Sequence, residues 1–179
     1  MTRVALVLVV MTTVAHAQPA PGVQEPAPRK TPFDRGKFGL SLGAGSSSSF
    51  GFRYFVIGGG AGYFVLDGLE VGLAGAIQWG DGPTIGRLTP GVRYIAHPLV
   101  GHSPLIPYVG VFYSHWFIGG GDLYRDQDAV GTRGGLLYVS GSVILGLGIA
   151  YERIVSECMP TADDECWSVY PDLTISISL

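Results

Sequence analysis

The 179-residue chain lacks, beyond its amino terminus, any apolar run approaching the ~20 residues that a transmembrane helix needs. It has little charge, with 11 basic and 14 acidic residues. Because there is no basic surplus, we expect no nucleic-acid partner. Only two cysteines are present, Cys158 and Cys166, so disulfides cannot build the core.

Glycine, by contrast, is abundant: the chain has 28 glycines, roughly twice the usual share. The mean hydropathy is positive, yet the apolar residues stand in short segments interrupted by glycine. This combination favours a membrane β-barrel over a helical membrane protein.

The amino terminus predicts export. Arg3 precedes an apolar run over residues 4–11, and residues 15–17 (Ala-His-Ala) form a cleavage site, so residues 1–17 are interpreted as a signal peptide. Export permits a disulfide between Cys158 and Cys166, which would close one loop. Residues 18–36 are rich in proline and predict a linker, either a periplasmic spacer or an unstructured tail.

The carboxyl terminus alternates strictly between aliphatic and polar residues. In a strand, successive side chains point to opposite faces. One face then carries Leu173, Ile175, Ile177 and Leu179, and the other carries Asp172, Thr174, Ser176 and Ser178. Such a strand suits an aliphatic face against lipid and a polar face inside a barrel.

Eight strand candidates fill residues 37–179, which predicts one all-β domain, an eight-stranded antiparallel up-and-down transmembrane β-barrel. We expect a polar loop at residues 46–49, a bend or bulge at residues 58–60 and an irregularity at Pro90. The orientation of the fifth strand is left open. The candidates are residues 37–45, about 50–65, 69–79, 85–96, 106–118, about 133–139, 143–155 and 168–179.

Several segments resemble small eight-stranded outer-membrane barrels of the outer membrane protein A/X/W type. They are residues 62–72, 90–94, 107–110 and 150–153. The alternating carboxyl terminus resembles the family's sorting signal, although it ends on Leu179 where an aromatic residue is usual. The resemblance implies the cell outer membrane and insertion by the barrel-assembly machinery. It implies no single activity, since such barrels serve as anchors, adhesins, channels and lipid-modifying enzymes.

Five charged residues fall on faces predicted to point inward: Glu70, Arg87, Arg93, Glu152 and Asp172. A hairpin turning at Asp81 and Gly82 would place Glu70 opposite Arg93. We interpret the five as a structural polar core, because eight strands enclose only side chains. The alternative is the lining of a gated pore.

The histidines and aspartates do not predict a catalytic or metal site. Ser114 and His115 are adjacent, so a strand would point them to opposite faces. His97, His102 and Ser103 have no third partner at a useful spacing. The loop with Asp122, Asp126 and Asp128 lacks the glycine and distal glutamate of a calcium loop, and we expect it to be solvated. No cofactor is expected.

The sequence thus favours a non-enzymatic outer-membrane protein with a structural role or a surface partner contacted through loops 119–132 and 156–167. The alternative function is a small passive channel for ions or small or apolar solutes. A third possibility, a secreted ligand-binding barrel, requires a polar exterior, which the aliphatic face ending at Leu179 opposes.

Overall fold

The computed structural model describes residues 31–49, 52–100, 103–119, 125–156 and 166–179. Eight antiparallel strands form a closed barrel in which each pairs with the next and β8 returns to β1, so the predicted fold is confirmed. Among the described residues, no helix is long and apolar enough to cross a membrane. The elements are β1 (Phe38–Ser49), β2 (Phe52–Leu66), β3 (Leu69–Gly80), β4 (Ile85–Ile95), α1 (His97–Val100), β5 (Leu105–Ile118), β6 (Gln127–Ser140), β7 (Val143–Ile154) and β8 (Trp167–Ser178).

The two faces of the wall follow the period-2 pattern of the sequence. On β8 the aliphatic residues Leu173, Ile175 and Ile177 are exposed on the outside, as is Leu179 after the strand, whereas Ser176 is buried inside. On β5, whose orientation the sequence left open, the even-numbered residues from 106 to 114 are buried and face the lumen. The outer face is therefore mainly apolar on these strands, and the polar residues of β8 point inward.

The two ends of the barrel differ in their connections. One end, here called the turn end, carries the turn at Asp67 and Gly68, α1, the turn at Gly141 and Ser142, and the carboxyl terminus. Gly68 and Gly141 have φ of +77° and +63°, which glycine adopts without steric cost. The other end, the loop end, carries the connections between β1 and β2, β3 and β4, β5 and β6, and β7 and β8.

Two irregularities expected in the first hairpin are corrected by the structure. Residues 46–49 are not a loop but belong to β1, where their backbones pair with residues 52–55 of β2. Residues 58–60 form no bend or bulge, because small residues on β3 let the strands stay in register there; the shift lies between Phe64 and Leu66. The irregularity expected at Pro90 is present, since pairing with β5 passes from Leu88 directly to Gly91.

The loops at the loop end are displaced or shorter than the sequence suggested. Strand β6 begins at Gln127 because residues 127–132 pair with β5, so the loop predicted at 119–132 ends at residue 126. The loop predicted at 156–167 occupies residues 155–166, since β7 ends at Ile154 and β8 begins at Trp167.

The linker expected through Gly36 ends earlier, because residues 31–36 pack against the turn end. We call this segment the strap. Its Phe33 side chain is only 1% exposed, because it packs against apolar side chains inside the lumen, including Phe64 and Ile95. The Gly68 amide donates to the Phe33 carbonyl at 2.9 Å, and the Ser178 hydroxyl donates to the Pro32 carbonyl at 3.1 Å. The signal peptide predicted at residues 1–17 and the rest of the linker lie outside the described residues.

One seam of the barrel differs from the other seven. Strands β1 and β8 pair over four positions, from Gly39 with Ser178 to Leu42 with Ile175, whereas the other neighbouring strands pair over nine to twelve. The barrel is thus closed at the turn end of this seam by a short ladder.

Candidate functional site

The lumen has a polar middle layer between two apolar clusters. At the loop end, Tyr54, Ile85 and Ile118 form a small cluster with Phe52 and Trp116 packed on it. The larger cluster closes the turn end and consists of Phe33, Phe64, Ile95, Ile106, Tyr108, Leu137 and Ile144. Any candidate site inside the barrel therefore lies in the layer between them.

The first ion pair of the middle layer joins β3 to β4. Glu70 lies directly opposite Arg93, the register that a turn at Asp81 and Gly82 predicts. Arg93 Nε donates to Glu70 Oε2 at 2.9 Å, and Nη2 donates to the same oxygen. The glycine at position 62 makes this possible, because a Cβ there would collide with the Glu70 carboxylate.

The second ion pair lies deeper and spans the lumen. Arg87 on β4 donates from Nη2 to Glu152 Oε2 on β7 at 2.7 Å, and to Ser114 Oγ at 2.9 Å. The Tyr170 hydroxyl accepts from Arg87 at 3.0 Å and donates to Glu152 at 3.0 Å. The Trp116 indole donates to the other oxygen of Glu152 at 3.3 Å. This network of side chains neutralises a carboxylate that is only 3% exposed.

Asp172, the fifth predicted lumen residue, accepts a hydrogen bond from the Tyr108 hydroxyl at 2.8 Å. The sequence interpretation missed Arg133, which faces the lumen from β6 with its guanidinium 4.6 Å from the centre of the Phe112 ring. The signal for Arg133 was its odd position on β6, because residues 129, 131 and 137, which share that parity, are buried in the lumen. Among the described residues, the lumen thus holds three arginines, Arg87, Arg93 and Arg133, against three acids, Glu70, Glu152 and Asp172.

A cavity of about 90 Å³ lies between the first ion pair and the strap. Arg93, Arg133 and Thr174 line it beside a wall of glycines that includes Gly60 and Gly62. Pockets for drug-sized ligands measure ~300–1,000 Å³. The cavity has room for water or a small ion, not for an organic substrate.

The serine and histidine of β5 stay apart, as strand geometry requires. Ser114 is fully buried in the Arg87 network, whereas His115 lies on the outer face with Tyr113. His115 Nδ1 contacts Asp128 Oδ1 at 2.7 Å, and the Tyr113 hydroxyl donates to the same oxygen. Neither group reaches Ser114, so this strand holds no Ser–His nucleophile.

The remaining candidates give no catalytic or metal arrangement in the described part of the chain. His97 lies at the strap, with its ring 5.5 Å from that of Phe33 and Nε2 4.0 Å from Asp34 Oδ1. His102, Asp122 and Cys158 lie outside the described residues, so the pairing of Cys158 with Cys166 stays a prediction. Residues 31–49, 52–100, 103–119, 125–156 and 166–179 hold no group of three metal-ligating side chains.

Comparison with solved structures agrees with this geometry. The N-terminal β-barrel domain of Pseudomonas aeruginosa OprF is similar in fold, with a TM-score of 0.57 and 15% identity over 81% of this chain and 98% of that one. Neisserial surface protein A (NspA) is similar with a TM-score of 0.50 and 17% identity, covering 80% of this chain and 94% of that one. No protein-family model and no curated protein matches the chain. At these identities the likeness establishes the small-barrel fold.

Proposed function

We propose that the protein is an integral outer-membrane β-barrel, exported through a cleaved signal peptide and inserted by the barrel-assembly machinery. The observation that carries this proposal is the exterior, where large apolar side chains are exposed on all eight strands. A soluble protein rarely exposes one continuous apolar patch beyond a few hundred Å². Outer-membrane lipid is the partner that such a belt requires.

The role that we propose is structural or loop-mediated and non-enzymatic. The lumen supports this role because Arg87 pairs with Glu152, Arg93 pairs with Glu70, and the turn end is filled by Phe33 and its neighbours. Contacts with a surface partner would then be made by the loops at residues 119–126 and 155–166, which are the longest connections of the loop end.

The alternative, a small passive channel, requires a continuous path along the lumen. The cavity beside Arg133 favours it, but the Arg87 network and the two apolar clusters lie across that path. Purified protein in planar bilayers should therefore give no single-channel steps. Reproducible steps of uniform size would replace the structural role with the channel.

The loop-mediated role is tested by accessibility on intact cells. An epitope inserted at residue 122 should be labelled by antibody on whole cells, whereas the same epitope between Gly141 and Ser142 should be labelled only after permeabilisation. The second insertion is a matched control, because it lies in a turn at the opposite end. Labelling of the Gly141 site alone would invert the proposed orientation and remove the loops as a surface contact.

A further inference from the structure

The seam between β1 and β8 is unpaired over its loop-end half. Beyond Leu42 and Ile175 the structure gives no β1–β8 partners, although β1 continues through residues 43–49 and β8 through residues 167–174. Both segments remain paired on their other sides, with β2 and β7. We call these two facing edges the open seam. Within the described residues, each edge turns backbone N–H and C=O groups toward a position that no strand occupies.

Side-chain exposure gives independent evidence of an opening in the wall. Gly43 and Gly45 have the same parity as Gly39 and Ser41, so they belong to the lumen face, yet both are exposed. A Cβ built at Gly43 or Gly45 would meet nothing within 4 Å. Ser168, which has lumen parity on β8, is exposed as well. The lumen is therefore open to the side at this level.

Several residues beyond Leu42 and Ile175 disfavour continuation of the ladder. If the register of Leu42 with Ile175 continued, Ala44 would face Leu173 and Ser46 would face Pro171. Proline has no N–H to donate to the ladder and occurs mainly on edge strands. Glycines at positions 43 and 45 offer no side chain to pack across the seam.

The open seam lies at the depth of the apolar belt. Ser46 pairs with Phe55, whose ring lies 4.9 Å from that of Trp79 on the outer face. On β8, Trp167 stacks on Tyr151 at the loop end. Residues 43–45 and 168–174 therefore lie on the turn-end side of these aromatic rings, where lipid would surround them.

Lipid is a poor occupant of such an opening. An unsatisfied backbone group in hydrocarbon is strongly unfavourable, and acyl chains have no hydrogen-bonding groups to offer. The lumen behind the opening is also polar, because Tyr170 and Asp172 face it from β8. An extended strand satisfies both requirements, since its backbone completes the ladder and its side chains alternate.

We propose that the occupant is a second copy of this chain, inserted in the membrane in the same direction. A two-fold axis parallel to the barrel axis brings the β1 edge of each copy against the β8 edge of the other, antiparallel, at both edges simultaneously. Strands β1 and β8 are compatible as antiparallel partners, since they already pair with each other in the closed half of the seam. The proposal rests on membrane insertion but not on the structural or loop-mediated role.

The test is disulfide trapping of the full-length protein in liposomes, in a Cys158→Ser, Cys166→Ser background. Ala44→Cys protein and Leu173→Cys protein are purified separately, reconstituted together into the same liposomes and oxidised. Directly opposed residues on antiparallel strands have Cα atoms ~4.5–5.5 Å apart, within the range that a disulfide spans. We expect a band of doubled mass that contains both variants and disappears on reduction.

The control replaces Leu42 and Ile175 by cysteine in one chain. Because these residues face each other within the barrel, the disulfide should form within one chain and leave the mass unchanged. Heat-modifiable mobility shows that each variant is folded. An intrachain disulfide in an Ala44→Cys, Leu173→Cys double variant would mean that the seam closes on itself, and absence of any disulfide would mean that lipid fills it. Either result overturns the dimer, while an unshifted, soluble protein would instead overturn the membrane proposal.

Discussion

The turn-end and loop-end halves of the barrel are built from the same eight strands, but they are closed by different means. The turn-end half has a paired seam between β1 and β8 and an apolar filling that includes Phe33 of the strap. The loop-end half has an unpaired seam and is held across the lumen by the network of Arg87 and Glu152. In both halves the alternation of apolar and polar residues decides which side chains face outward and which face the lumen. The closure of each half depends instead on a few individual residues.

The largest effect should come from breaking the network that spans the loop-end half. Arg87→Ala leaves the Glu152 carboxylate buried and unpaired, and we expect the free energy of unfolding to fall by ~3–5 kcal/mol. Urea titration of the detergent-folded barrel measures this. Arg93→Ala should cost less, about 3 kcal/mol, because the side chain of its partner Glu70 is 11% exposed against 3% for Glu152.

Arg153→Ala is the matched control, since Arg153 is adjacent to Glu152 but exposed on the outer face. Its removal should leave the urea midpoint nearly unchanged. An equal loss for Arg87→Ala and Arg153→Ala would show that the lumen network does not stabilise the loop-end half.

The strap should contribute less than the network, because it can detach without unfolding the wall. A buried Phe→Ala change costs ~3–5 kcal/mol in a core, and we expect about 2 kcal/mol for Phe33→Ala. The same urea titration measures the loss, and proteolysis of the amino-terminal segment should become faster. Phe38→Ala, on the exposed outer face, is the control and should not accelerate proteolysis. Unchanged cleavage in Phe33→Ala would mean that the strap does not close the turn end.

A charge on the outer face should impair insertion more than a charge inside. Ile177→Asp places a carboxylate against lipid, at a cost of up to ~1 kcal/mol near the membrane boundary, whereas Ser176→Asp places it in the lumen near Arg93 and Arg133. The measurement is the yield of folded protein in liposomes. Equal yields would contradict the assignment of the two faces in the closed half of the seam, and a lower yield for Ser176→Asp would reverse it.

The smallest effect should follow reduction of the predicted disulfide between Cys158 and Cys166. It would close a loop at the loop end, outside the ladders, so the circular-dichroism signal of the strands should not change. A loss of strand signal on reduction would show that the loop also holds the loop-end half together.

The faces and the number of strands could be predicted because alternation is a local property. The facing of Glu70 and Arg93 also followed from sequence, since one short turn fixes a hairpin register. Contacts across the lumen did not follow, because Arg87 and Glu152 are 65 residues apart on strands that are not neighbours. No spacing in the chain encodes which inward residues meet at the centre of a closed barrel.

The errors in the sequence interpretation have local physical causes. Serines at residues 46–49 are typical of a loop, yet pairing with β2 keeps them in a strand. The start of β6 was missed because residues 127–132 contain an aspartate and a glycine in place of large apolar residues. Phe33 was missed because it is the single aromatic residue of a proline-rich segment, and the apolar cluster that buries it forms only when the barrel closes.

The most direct test of the central claim is membrane fractionation with gel mobility compared before and after boiling. An outer-membrane barrel should appear in the outer-membrane fraction and should migrate differently when unboiled, because the closed ladder of strands resists detergent at room temperature. A soluble protein with the same mobility in both samples would contradict the account, and the apolar exterior would then need another partner than lipid.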